Sequence, residues 1–187
     1  MKSPLFIATL AISSLLTATA LPQGEAGGPQ QVPAQQQQGL DSADRKFLSE
    51  AAADGAAEVK LGQMATKQAT SEDVKKFGQR MVDDHSKINS ELNKLAQQKG
   101  LTVPQTLDKK HQDEVDRLSK LGGPEFDKSY MNTMVDEHQH DVDAFEKAAK
   151  DAKDAGVKSF ASSTLPTLRE HLASAKEIHA RVKEQKK

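Results

Sequence analysis

Two five-residue phrases carry the side chains most suggestive of chemistry. Met81-Val82-Asp83-Asp84-His85 is echoed by Met134-Val135-Asp136-Glu137-His138. In each, a thioether and an imidazole stand four residues apart, with acids just before the imidazole. On a helix this spacing puts the Met and the His on one face. The chain has no cysteine, which excludes disulfides, thiolate metal sites, Cys nucleophiles and an acylated lipoprotein Cys. Any soft ligand must therefore be Met or His, and that pairing at i, i+4 favours copper(I).

The elements that must position these residues read as helices. From Asp41 or Ser42, a first helix runs to about Ala69 with a stripe of Phe47, Ala51, Gly55, Leu61, Gly62, Ala65 and Ala69, and Glu58 lies near its middle. Thr70-Ser71 breaks and recaps the chain, with Glu72 and Asp73 suited to the helix dipole. The second helix carries Val74, Phe77, Met81, His85, Ile88, Leu92 and Leu95 at alternating spacings of three and four, and stops at Gly100. A short, thinly apolar helix follows Pro104 over about 107–121, with His111 expected to face water. Gly122-Gly123-Pro124 opens the next long helix, to about Ala155, whose stripe places His138 near its centre and His140 outside. Gly156 then breaks the chain. A last helix to about Lys183 carries His171 beside its stripe, with Pro166 expected to kink it at a cost of about 3 kcal/mol if uncompensated.

Four long helices joined by a connection of roughly 25 residues predict an all-α, ferritin-like four-helix bundle whose long crossover carries a short extra helix. A plain up-down bundle is the other arrangement the pattern admits. Val74-x-x-Phe77 recurs as Val157-x-x-Phe160, which hints at an internal duplication.

Each long helix thus has one ionisable residue in or beside its stripe: Glu58, His85, His138 and His171. Counted from the hairpin turns, His138 and His171 fall within about one 1.5 Å rise of each other, and Glu58 and His85 within about 4–5 Å. The four form one polar layer if the hairpins pack in register. Two readings follow. The layer either fixes helix register as a hydrogen-bonded network, or it binds a transition metal such as copper or zinc. In the second reading Met81 and Met134 lie nearby, and Asp84, Asp136, Glu137 and Glu170 are the acids that orient the ligands.

Other chemistries are poorly supported. Glu137-x-x-His140 has di-iron spacing, but His140 points away from His138, and the two inward motifs plus two further Glu that such a site needs are missing. There is no Gly-x-Ser-x-Gly, no phosphate-binding Gly loop and no His-Glu-x-x-His, so no enzymatic activity follows. With 27 acidic against 26 basic residues, the formal net charge is −1. That balance argues against a nucleic-acid partner. A homodimer is compatible with an aromatic content of only 4%, and no protein partner is specified.

Residues 1–20 read as a secretory signal peptide: Lys2, a short apolar run from Leu5 to Leu16, then Ala18-Thr19-Ala20 as a small-x-small cleavage pattern. The run is too short for a permanent membrane span. Residues 21–40, with Pro22, Pro29, Pro33 and Gln35 to Gln38, read as a flexible leader. The bundle is expected over 41–183 of an exported chain, periplasmic or secreted.

Three blocks resemble the signature blocks of one bacterial family: Phe77-Gly78-Gln79-Arg80-Met81-Val82-Asp83-Asp84-His85, Met134-Val135-Asp136-Glu137-His138 and Thr164-Leu165-Pro166-Thr167-Leu168-Arg169-Glu170-His171-Leu172. That family is the domain of unknown function 4142, often described as an outer membrane protein, and Asp44 to Gly62 resembles its opening block. The resemblance covers about residues 42–180. It implies an exported ferritin-like bundle without an established activity, and related Met- and His-rich envelope families include copper binders. It carries Glu58, His85, His138 and His171 over as motif positions. The function expected is that of an exported bundle that binds, senses or buffers a transition metal under envelope stress. The alternative is a structural or protein-interaction module whose polar layer only sets helix packing.

Overall fold

The structure, a computed structural model, describes residues 39–184. The expected signal peptide and all but the last two residues of the expected leader lie outside them. Leu40, placed by sequence in the leader, is instead 6% exposed and packs into the core.

Five helices make up the fold: α1 Ser42–Gln68, α2 Glu72–Gln98, α3 Lys109–Ser119, α4 Gly123–Asp151 and α5 Ala155–Glu184. Asp41 caps α1 by accepting from the Asp44 amide at 2.8 Å. Asp108 caps α3 through the His111 amide at 2.9 Å. Past the end of α2, Gly100 takes φ +67°, a conformation that penalises other residues. There the amides of Gly100 and Leu101 return to the carbonyls of Gln97 and Ala96, closing the helix as a Schellman turn. Helix α5 runs unbroken through Pro166. Both Pro166 and Ser162, whose carbonyl loses its intrahelical donor, are exposed, so the proline sits on the solvent side of the helix.

The turn between α4 and α5 falls at 152–154, earlier than the break expected at Gly156. Asp154 causes the shift, since its side chain accepts from the amides of Gly156 and Val157 at 2.8 and 3.2 Å and so draws Gly156 into the first turn of α5. The other hairpin turn also differs from expectation, because the Ser71 side chain makes no capping bond. Its amides are satisfied by Asp127 on α4, which accepts from Thr70 and Ser71 at 3.0 and 2.8 Å.

Asp127 has a counterpart. Asp44, in the first turn of α1, accepts from the amides of Lys153 and Asp154 at 3.1 and 2.8 Å. Each hairpin therefore clamps the other's turn with a buried carboxylate. The offset is 83 residues from Asp44 to Asp127, and it recurs from Glu58 to Asp141, from Val74 to Val157 and from Phe77 to Phe160. This is the mark of a duplicated hairpin.

The clamps also fix the topology. Helix α4 starts where α1 ends, and α1 starts where α4 ends, so the two are antiparallel neighbours. Helix α2 finishes at the opposite end from the start of α4. Residues 99–122 must then travel the bundle's length, about 40 Å for 27 residues, with α3 on the way. The long crossover is present, and the plain up-down alternative is not.

Helices α1 and α2 approach closely at Gly62 and Gly78. A methyl group on Gly78 would lie 2.6 Å from the Ala65 Cβ and 2.9 Å from the Gly62 carbonyl oxygen. Along the bundle the apolar core is divided in two. One cluster holds Leu48, Leu92, Phe145 and Leu168, and the other Leu61, Phe77, Met81, Met134 and Ile178. Between them lies a layer of buried polar side chains.

Candidate metal centre

Glu58, His85, His138 and His171 meet in that layer, one from each long helix, and none is more than 2% exposed. The imidazole centroids are 5.3–5.5 Å apart in all three pairings. One ring nitrogen from each His lies within 4.8 Å of the other two.

The hydrogen bonds of the layer decide what those nitrogens can do. His138 Nδ1 lies 2.9 Å from the Met134 carbonyl oxygen, one turn back on α4. A carbonyl can only accept, so Nδ1 carries the proton and Nε2 keeps a lone pair. His171 Nε2 lies 2.9 Å from Asp84 Oδ2, and the same reasoning leaves His171 Nδ1 as the bare nitrogen. Asp84 is held in turn by Arg80, at 3.3 Å. Partial burial raises the Asp84 pKa, but His171 and Arg80 outweigh it and the carboxyl ends below its usual range. His85 presents Nδ1 to Glu58 Oε2 at 2.7 Å.

What remains is three buried ring nitrogens without a partner: His85 Nε2, His138 Nε2 and His171 Nδ1. Leaving such an atom unsatisfied costs about 1–3 kcal/mol, so three together are a large charge against a fold stable by about 5–15 kcal/mol. Fixing one ring nitrogen by a carboxylate or carbonyl so that the other is free to ligate is the usual arrangement around metal-bound His. The donor set thus fits an ion that prefers imidazole.

Burial dominates the electrostatics. Desolvation pushes the pKa of His85 and of His171 down to about 4, and that of His138 well below the usual value. At neutral pH all three rings are uncharged, the state that ligation requires. The same burial raises Glu58 and Asp141 well above the carboxylate range, and each is raised further by neighbouring acids. Glu58 has no nitrogen or hydroxyl donor in hydrogen-bonding alignment.

Sequence reasoning set Glu58 as a fourth ligand of equal standing. The structure puts it against His85 Nδ1, with its other oxygen 3.3 Å from His138 Nε2, outside the three-nitrogen cluster. Among the acids expected to orient ligands, Asp84 does so, while Glu170 is exposed and pairs with Arg80 at 2.8 Å. Asp136 is also exposed, accepting from Asn132. Glu137 turns from the layer towards Lys110, at 3.2 Å. Met81 and Met134 are fully buried in one apolar cluster. His140 is exposed, as expected.

Two residues were missed. Asp141 stands three residues after His138, a spacing that puts both on one helical face, and that signal was readable. His111, expected in water, is 4% exposed. Its crossover helix packs against α1, which the thin apolar pattern of α3 did not reveal.

None of the curated proteins matches this chain. Among solved structures, it resembles the DUF305 fragment from Deinococcus radiodurans at 14% identity, covering 76% of this chain and 99% of that one, with a TM-score of 0.68. It also resembles CopM in the Cu(II)-bound form at 16% identity, covering 74% and 96%, with a TM-score of 0.63. At such identities the likeness concerns the helical-bundle fold. No helix among the described residues is long and apolar enough to cross a membrane. The family model described as Domain of unknown function (DUF4142) matches residues 29–178, and the chain belongs to that family.

Proposed function

We propose that this protein is an exported carrier or buffer that holds one transition-metal ion, copper or zinc, among His85, His138 and His171, with Glu58 as the carboxylate that orients His85. The observation that carries the reading is the convergence of three buried, uncharged imidazoles, each with a ring nitrogen that has no hydrogen-bond partner. A layer kept only to set helix packing would spend its polar atoms on one another, whereas here His138 and His171 each use one nitrogen for orientation and all three rings leave a nitrogen bare. The fold shared with a Cu(II)-bound protein is consistent with this, and the apolar run at 5–16 with its small-x-small ending supports export.

The residues also define what uptake entails. The three rings are neutral and give up no proton. Burial raises the Glu58 pKa, and a cation entering beside it favours the carboxylate, which then accepts from His85 Nδ1–H. Metal uptake is therefore favoured as pH rises.

The test is metal content by mass spectrometry of untagged protein from copper- or zinc-supplemented medium, beside His85→Ala and His138→Ala. One equivalent in the wild type, lost in both variants, is expected. Substoichiometric metal unchanged by the substitutions would leave the layer a structural device.

A further inference from the structure

A second cluster lies outside the three-imidazole centre. Asp54 on α1, His111 on α3 and Glu137 on α4 each place one ligand atom within 4.8 Å of the others. His111 is only 4% exposed, and neither ring nitrogen has a partner in hydrogen-bonding alignment. Nε2 nevertheless lies 3.2 Å from Asp54 Oδ1, and Nδ1 lies 2.9 Å from Asp108 Oδ1. The ring is thus aimed at carboxylates without being satisfied by them.

Glu137 is held by a cation, the Lys110 ammonium, 3.2 Å from Oε1. The Lys110 side chain is 65% exposed, against 16% for Asp54 and 18% for Glu137. Its long stem can swing into solvent and leave the acid behind, so Lys110 fills the place of a positive charge without being fixed there. The three donors come from three helices, one of them the crossover helix, and Glu137 adjoins His138 while Asp54 precedes Glu58 by one turn. The cluster therefore sits on the solvent side of the buried layer.

We propose that Asp54, His111 and Glu137 form a second metal site, shallower than the first and selective for a divalent ion of the zinc type. One imidazole with two carboxylates suits zinc(II), iron(II) or manganese(II) and disfavours copper(I), which prefers soft donors. Two carboxylates match the charge of a dication once Lys110 has moved aside. Bound there, the ion ties α3 to α1 and α4.

The site adds to the function proposed above but rests on different residues, so the two separate experimentally. Untagged, chelator-stripped full-length protein is titrated with Zn(II) by calorimetry and with Co(II) by visible absorption. The wild type takes up two equivalents of different affinity. His111→Gln and, as a second probe at a less buried position, Glu137→Gln weaken one equivalent by more than about 100-fold, since even orienting partners are worth about 10–100-fold. Both variants keep the other equivalent, and His138→Asn shows the converse. Two equivalents unchanged in His111→Gln and Glu137→Gln, or a single wild-type equivalent that only His138→Asn removes, overturns the second site and leaves the first standing. A single equivalent that His111→Gln removes and His138→Asn does not would overturn the buried centre instead.

Discussion

Replacing Glu58 by Gln separates the fold's need for this residue from the metal's. Burial raises the Glu58 pKa and so favours its neutral form, and a neutral amide of the same shape then costs the metal-free protein only about 1 kcal/mol, the worth of one neutral hydrogen bond. The ion-bound protein loses more. An ion at 1,000 times its Kd stabilises the native state by about 4.1 kcal/mol, and at about 2–4 °C per kcal/mol this raises Tm by about 8–16 °C. Losing the carboxylate that orients a ligating His weakens binding by about 10–100-fold. At the same metal concentration the stabilisation then falls to about 2 kcal/mol, roughly half. Thermal unfolding of both proteins, with chelator and with added Zn(II), reads these shifts directly. Calorimetric titration in two buffers of different ionisation enthalpy adds the proton count, expected to be larger for the wild type than for Glu58→Gln. An equal metal-induced shift in both proteins would refute the role of Glu58. Loss of more than about 3 kcal/mol by the metal-free variant, well above the worth of a neutral hydrogen bond, would show that the carboxyl is ionised in the apo protein.

Acid should destabilise the metal-free protein through His85 and His171. Their native pKa of about 4 lies below the ordinary 6.5, so the unfolded chain binds protons first, and stability falls as pH drops from about 6.5 to 4, by up to about 3 kcal/mol per His. Glu58 and Asp141, raised by burial, act oppositely and weaken the native state as pH rises through their raised values. Urea midpoints across pH 7 to 4 test this, with His85→Asn expected to flatten the slope. Asp127→Asn removes one of two charge-assisted bonds to the α1–α2 turn and should cost about 1.5–3 kcal/mol by urea titration, with the metal content unchanged. Gly78→Ala forces a methyl group to within 2.6 Å of Ala65 Cβ and should cost about 1–3 kcal/mol, read in the same way.

The helices and the layer were legible because they obey local rules. Glu58, His85, His138 and His171 stand at helical spacing on apolar stripes, and counting from the turns sets their heights. Long-range chemistry was not legible in that way. The clamps of Asp44 and Asp127 join residues 109 and 57 positions apart, and only the recurring offset of 83 hints at them. His111 looked solvated because α3 shows little apolar periodicity, yet the crossover lays its ring against Asp54. Glu137 and Glu170, adjacent in sequence to His138 and His171, point elsewhere because neighbouring residues on a helix diverge by about 100°. The α4–α5 turn moved because Asp154 caps more strongly than Gly156 breaks.

The central claim is that three imidazoles share one ion. X-ray absorption of the Cu- or Zn-loaded protein at one equivalent measures this directly. A first shell of three imidazole nitrogens with one further light ligand, collapsing in His171→Asn, is the predicted result. A shell of oxygens alone, or one dominated by the sulfur of Met81 or Met134, would contradict it.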